Sequence, residues 1–371
     1  MSDVAEPAPS LARLGYSERW KALFAPMADD DFVPGRVMRI DRGIATVGTG
    51  AAVVAAEPAA HLVKTTGIGS RFAVGDWVAL AMPETHERAI IEAILPRTSA
   101  FVRRQPGERE TGQVVAANTD TIFIVQALAP RGPNLRRLER ELVIAWDGGA
   151  TPVVVLTKAD LVSAADADAM REAVGAIAHG VDIQVVSGHT GQNISALRSY
   201  AEDDATIALF GASGVGKSTL VNRLVGADVQ ATREIRDSDG RGRHATVVRE
   251  MIFLPDSGVI IDTPGMRALA LWDADDGVSA AFPDIEEFAH ACQFRDCTHT
   301  AEPGCAVLAA AETGELTDER LDSYQRLRKE LEVSSARQND KLRAEKKRED
   351  KIFSKAARRY WQSHPGQGGR D

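Results

Sequence analysis

Apolar residues follow two rhythms along this chain. From residue 35 to 104 they come in short runs, GRVMRIDRGIATVGTGAAVVA, FAVGDWVALAM and RAIIEAILPRTSAFVRR, broken by Gly, Asp and Pro. Breaks at roughly eight- to twelve-residue spacing predict a small antiparallel barrel of the OB type, a fold that often binds nucleic acid. Beyond residue 112 the rhythm changes. DTIFIVQAL, PVVVLTKADL, DIQVVSG and TIALFGASG are near-continuous apolar runs, and they alternate with the helical patterns NLRRLERELVIAWDGG and ADADAMREAVGAIAHG and with a helix from Lys217. Such strands, joined by helices, predict a parallel sheet covered on both faces. The chain turns helical and polar again from Ile285, while its first thirty or so residues, rich in Ala, Pro and Asp, read as a loose arm. We therefore expect a flexible arm over 1–32, a barrel over 33–104, an α/β domain over 105–284 and a helical domain over 285–371.

Composition narrows the picture only a little. A chain of 371 residues with 44% hydrophobic and 26% charged residues is ordinary globular protein. A net charge of −9 argues against a uniformly basic nucleic-acid binder, although residues 341–360 hold nine Lys or Arg against three Asp or Glu. That basic stretch reads equally as an RNA-phosphate contact and as a solvated helix. The start, MSDVAEPAPSLARLGYSERW, lacks the basic and apolar regions of a secretory signal, and no run approaches the roughly 18 apolar residues of a membrane span. A soluble, cytoplasmic protein without a membrane partner is expected.

The chemistry sits in four short stretches. Gly211 to Ser218 fits G-x-x-x-x-G-K-[ST], with an apolar strand before it and a helix after it. Ser213, Gly214, Val215, Gly216, Ser218 and Thr219 would offer phosphates backbone N–H groups at a helix N-terminus; Lys217 would reach the β- and γ-phosphates, and the Ser218 hydroxyl would ligate Mg²⁺. Some forty residues on, VIIDTPGM ends a strand in Asp262, a second candidate for holding Mg²⁺, with the Gly265 N–H placed for the γ-phosphate. Thr157, Lys158 and Asp160 follow another strand. A carboxylate there accepts from guanine N1 and N2, a donor pair adenine lacks, and the Lys158 stem would cover the base. Ser187 and Gly188 suit a small loop whose N–H meets guanine O6. Finally, Cys292-x₄-Cys297-x-His299-x₅-Cys305 uses all three cysteines of the chain with one imidazole. Three thiolates and a histidine close a tetrahedral, structural Zn²⁺ site.

In an ordinary GTPase the phosphate loop precedes the base-reading loop. Here Asp160 and Ser187 come before Lys217 and Asp262, the order of a circularly permuted GTPase. A packed sheet tolerates such a cut because its contacts survive rejoining at the surface. The fold class is thus an α/β P-loop GTPase domain, circularly permuted, with an N-terminal OB-type β-barrel and a C-terminal zinc-binding helical domain. The permutation also makes the segment after DTPG lead straight into the C-terminal domain, so that nucleotide state can be relayed to it.

Roughly residues 35–330 resemble the RsgA (YjeQ) family of small-ribosomal-subunit-dependent GTPases. The resemblance rests on the permuted order, ANTD at 117–120, RGRHAT at 241–246, DTPG at 262–265 and CQFRDCTHTAEPGC at 292–305. Thr157 departs from it, standing where Asn is common, as do Ala245 and Val247 beside Thr246. It implies GTP and GDP as ligands, late maturation of the small ribosomal subunit as the setting, ribosomal RNA as a contact, and stimulation by that subunit. His244 resembles the family's candidate catalytic histidine. Met266 occupies the position where small GTPases carry the glutamine that orients water, so another group must do so. Thr246 is the hydroxyl of HATV able to act as the second Mg²⁺ ligand. Arg241 and Arg243 suit either RNA phosphates, which we favour, or the developing phosphate charge. A monomer is expected. Two rivals stand beside this reading: an RNA-binding assembly chaperone that senses GTP against GDP with negligible turnover, and a P-loop ATPase with a zinc module, which Asp160 opposes.

Overall fold

The computed structural model describes residues 8–64, 71–82, 87–104, 112–226, 249–262 and 274–336. Helix α1 (Glu18–Phe24) precedes five barrel strands, β1 (Val33–Asp41), β2 (Ile44–Gly48), β3 (Val53–Pro58), β4 (Trp77–Ala81) and β5 (Ala89–Ile94), with the short α2 (Ala60–Lys64) after β3. They pair in the order β1-β2-β3-β5-β4, and β4 returns to β1 through Val33↔Leu80 and Arg36↔Trp77. This closes the five-stranded OB-type barrel. Strand β1 serves both neighbours by passing close to them. At Gly35 an added Cβ would meet Val47 at 2.6 Å and Leu80 at 2.8 Å, so a side chain there would force the strands apart.

The described part of the arm is not loose. Leu14, Trp20 and Phe24 are buried with Trp77 and Leu95 at one end of the barrel, and Arg13 pairs with Asp204 at 2.8 Å. Burying three large apolar side chains stabilises by a few kcal/mol, enough to offset the entropy that an Ala- and Pro-rich composition suggested would win. The boundary expected at 104/105 falls inside a hairpin, β6 (Ala100–Arg104) with β7 (Gly112–Ala117), which pairs outside the barrel. Its Phe101 packs in the core of the following domain, and Ala100 N–H donates to Gly148 O at 2.9 Å.

Strands β8 (Thr121–Ala127), β9 (Thr151–Thr157), β10 (Asp182–Val185), β11 (Thr206–Phe210), β12 (Arg249–Phe253) and β13 (Val259–Asp262) form the α/β layer, ordered β10-β9-β8-β11-β13-β12. All neighbours are parallel except β12 with β13. Helices α3 (Leu135–Asp147), α4 (Ala164–Gly175), α5 (Ile194–Arg198) and α6 (Lys217–Val225) cover it. Asn134 caps α3 by accepting from Arg137 N–H at 3.0 Å, and Ser163 caps α4 through Asp166 N–H at 3.1 Å. The apolar runs of β8, β9 and β11 are buried on both faces, in two separate core clusters.

Barrel and α/β domain share one sheet, because β1 also pairs with β12 through Arg39↔Glu250 and Ile40↔Arg249. Beneath this junction Arg36, 2% exposed, donates to Gly75 O, Leu14 O, Asn118 O and Thr206 Oγ1. One guanidinium thereby ties the arm, the barrel, the hairpin's end and β11. Helices α7 (Asp275–Ala281), α8 (Pro283–Ala289), α9 (Ala306–Thr313) and α10 (residues 318–336) follow. Arg320 of α10 bonds both carboxylate oxygens of Asp284 and lies over Phe282 at 4.0 Å. Among the described residues no helix is long and apolar enough to cross a membrane.

Candidate functional site

Parallel strands carry their following loops to one edge of a sheet, and β8, β9, β10, β11 and β13 all end at the same one. Strand β11, central between β8 and β13, delivers the phosphate loop. Gly211, Gly214 and Gly216 adopt φ of +148°, +75° and +101°, the left-handed side that glycine reaches without penalty. At Gly211 a Cβ would meet Val125 O at 2.4 Å, so no other residue fits that turn. The loop ends where α6 begins at Lys217, and the Lys217 ammonium donates to Gly211 O at 2.9 Å and Ala212 O at 2.6 Å. Ser218 and Thr219 lie in the first turn. Asp262 ends β13, whose register with β11 (Ala208↔Ile261) sets it one step before the end of β11, on the edge from which this loop leaves.

Strand β9 delivers the loop expected from the sequence to read the base. Lys158 turns through φ +62°, and Asp160 follows in a short 3-10 turn. Thr157 is 3% exposed, and its hydroxyl donates to Val215 O at 2.5 Å, with Gln126 O at 3.2 Å. A hydroxyl thus ties the end of β9 to the phosphate loop at the position where Asn is the expected residue. The buried Ser187 donates to Asp160 Oδ1 at 2.5 Å and accepts from Thr190 N–H at 3.0 Å. The Ser187 hydroxyl is the main cause holding the Asp160 carboxyl below the usual carboxylate range, so it stays ionised. Thr157, Lys158, Asp160, Gly188, Gly216 and Thr219 line one cavity of about 400 Å³, together with Leu161, His189 and Leu220. A second cavity of about 570 Å³, which Lys158 also lines, lies between Ser213–Val215 and the segment 129–137 that leads into α3. Segments distant in the chain therefore converge on two cavities that share Lys158.

His189 and Leu161 in the first of these cavities, and Arg223 behind it, escaped the sequence reading. Arg223 meets Gly188 and His189 across some thirty-five residues, a contact that no local pattern announces. His244 and Thr246, in 227–248, and Gly265, in 263–273, lie outside the described residues, as do Arg241, Arg243, Met266 and the basic stretch 341–360.

The second cluster sits between α8 and α9. Sγ of Cys292 lies 3.8 Å from Cys305 Sγ and 3.6 Å from His299 Nδ1, which is 3.4 Å from Cys305 Sγ. The four ligand atoms, with Cys297, lie within 4.8 Å of one another. A tetrahedral Zn²⁺ with Zn–S of about 2.3 Å and Zn–N of about 2.0 Å has edges of about 3.8 and 3.6 Å, so the donor set fits a metal of that kind. Burial disfavours charge on His299, leaving its imidazole neutral as a ligand requires. Burial, then the sulfurs of Cys305 and Cys292, push the Cys297 thiol up to about 11, which a cation at the centre would reverse. Glu302 holds the knuckle by accepting from the N–H groups of Thr298, Thr300 and Ala301, and Cys305 caps α9 by accepting from Leu308 N–H.

A glycine-rich G-x-x-x-x-G-K-S loop after the central strand, the TKAD loop that precedes it in the chain, and a sheet order that seats both at one edge define a circularly permuted P-loop GTPase fold. The sequence model of the RsgA GTPase family matches residues 94–272. A protein of Streptomyces avermitilis named small ribosomal subunit biogenesis GTPase RsgA is 42% identical over 360 residues, covering 97% of this chain and 96% of that one. The similarly named RsgA 2 of Lactiplantibacillus plantarum is 49% identical over 259 residues, covering 70% and 72%. The solved structure of YjeQ from Thermotoga maritima shares the fold with a TM-score of 0.61 at 24% identity, over 81% of this chain and 98% of that one. YloQ, a circularly permuted GTPase, does so at 0.59 and 23%, over 82% and 96%. The chain belongs to the RsgA GTPase family.

Proposed function

We propose that this protein hydrolyses GTP to GDP and phosphate and couples that cycle to binding and release from the small ribosomal subunit during its late maturation. The observation that carries the reading is the cavity lined at once by Asp160 and by Gly216 and Thr219 of the phosphate loop. It has a carboxylate for guanine N1 and N2 at one end and phosphate-binding backbone at the other. The printed names of the relatives, small ribosomal subunit biogenesis GTPases, support the setting.

Backbone N–H groups from Ser213 to Thr219 take the phosphates, and Lys217 exchanges its two loop carbonyls for phosphate oxygens. Ser218, Asp262 and Thr246 would hold Mg²⁺, which when bound neutralises charge on the phosphates. The Gly265 N–H bonds the γ-phosphate, and His244 positions or accepts from the attacking water, a task Met266 cannot perform. Lys158 covers the base that Asp160 reads. The sequence around His244 is Gly-rich, and glycines raise the entropic cost of fixing a backbone, a cost that a partner holding the segment would lower. The barrel, Arg241, Arg243 and the basic 341–360 segment contact ribosomal RNA, while Zn²⁺ on Cys292, Cys297, His299 and Cys305 staples the helical domain. The protein acts in the cytoplasm as a monomer.

The test is multiple-turnover GTP hydrolysis with and without small ribosomal subunits, in wild type and His244→Ala. We expect stimulation in wild type and its loss in the variant. Turnover that small subunits leave unchanged would contradict the proposal.

A further inference from the structure

The loop after β10 is held from outside the pocket by a residue of the phosphate-binding helix. Arg223 lies six residues, about 1.7 turns, beyond Lys217 on α6. Its Nε donates to Gly188 O at 2.7 Å and its Nη2 to His189 O at 2.6 Å, so one edge of the guanidinium spans two successive carbonyls. Gly191 N–H takes the preceding carbonyl, that of Ser187, at 2.9 Å. The loop also seats closely on the helix, since a Cβ at Gly188 would meet Thr219 Cγ2 at 3.0 Å.

In a trans peptide the C=O and the next N–H point in opposite directions. Pinning Ser187 O and Gly188 O therefore fixes the N–H groups of Gly188 and His189 on the opposite edges of their peptide planes, and both residues line the base cavity. Pinning His189 O fixes the next N–H, that of Thr190, which donates to Ser187 Oγ, and that hydroxyl donates to Asp160. A positive charge at the head of such a chain polarises every bond along it in the same sense. Arg223 itself is exposed and does not line the cavity.

We infer that Arg223 is a positioning residue for base recognition: it presents the 188–189 peptide N–H groups to guanine O6 and steadies the Ser187 hydroxyl that orients Asp160. The inference rests on the proposal that this cavity holds guanine. Arg223 also ties the base loop to the helix that follows the phosphate loop.

The experiment compares affinity for GDP and for 6-thio-GDP, whose sulfur is a weak acceptor in place of O6, in the full-length protein and its Arg223→Ala and Arg223→Lys variants, with ADP as reference. Wild type should prefer GDP over 6-thio-GDP by about tenfold, the worth of one good polarised hydrogen bond. In R223A that ratio should fall to near one while GDP is still preferred to ADP through Asp160; in R223K, which keeps the charge but loses the fork, it should be intermediate. An R223A protein that binds both guanine ligands more weakly by the same factor, keeping the wild-type ratio, would overturn the inference, as would a ratio unchanged in both variants. Wild type binding GDP no better than ADP would instead overturn the guanine reading itself.

Discussion

Replacing Arg36 with Met should loosen the barrel from the GTPase domain without emptying its site in the core. The arginine side chain is wholly buried, and burial lowers its pKa to about 10 against the opposing pull of Asp120 and Asp76, so it remains charged at neutral pH. Methionine fills much of the same space but donates nothing. Gly75 O keeps a second donor, Asn118 Nδ2 at 3.0 Å; Leu14 O, Asn118 O and Thr206 Oγ1 lose the guanidinium. Each buried acceptor left without a donor costs about 1–3 kcal/mol. Removing the charge returns its own desolvation cost, so the net loss should be about 3 kcal/mol, within the range for breaking a buried charged network. Hydrogen exchange read by mass spectrometry localises the effect. Amides of β1 and of the turn at Gly75, which bonds Val37 O at 2.9 Å, should exchange on the order of a hundredfold faster in R36M. The change should spread to β12 through the Arg39↔Glu250 pairing. Unchanged protection of β1, or slower exchange, would show that Arg36 is a net cost and that the shared sheet holds the domains by itself.

Two further outcomes follow from the C-terminal helices. Wild type should carry one zinc per chain by colorimetric release, and Cys305→Ser, which alters a buried ligand that also caps α9, should carry none and melt at lower temperature. Asp284 is drawn in opposite directions: burial pushes its pKa up, but the two bonds from Arg320 win and hold it below the usual carboxylate range. A carboxylate depressed in the folded state contributes stability above its unfolded pKa and loses it as pH falls through the folded one. Asp284→Asn should therefore cost about 2 kcal/mol in urea denaturation at pH 7, and the gap from wild type should close as the pH drops below the ordinary carboxylate range.

The chemistry was more legible in the sequence than the architecture that holds it. The phosphate loop and the cysteine–histidine cluster are contiguous, and their spacing is set by a phosphate group or by a metal's coordination sphere. The permutation could be read because motif order needs no tertiary information. What joins the domains could not. Strands β1 and β12 pair over only two residue couples more than two hundred residues apart in the chain, and Arg36, one polar residue in a strand of alternating character, reads as surface until four segments close over it. In the arm, Trp20 and Phe24 stand four apart, a helical signal that the surrounding Ala, Pro and Asp obscured. Thr157 shows a different limit. The missing Asn was visible, but the tie of its hydroxyl to Val215 depends on how closely β9 approaches the phosphate loop.

The central claim is that one cavity reads guanine through Asp160 while the phosphate loop holds the triphosphate. Asp160→Asn tests it most directly, because an amide offers a donor to the C2 carbonyl of xanthine where the carboxylate accepts from the amino group of guanine. Affinities of the wild type and D160N for GTP and XTP, measured by competition, should show GTP weakened by about a hundredfold or more in the variant and XTP becoming the better ligand. A D160N protein that binds GTP as wild type does, with no gain for XTP, would contradict the account.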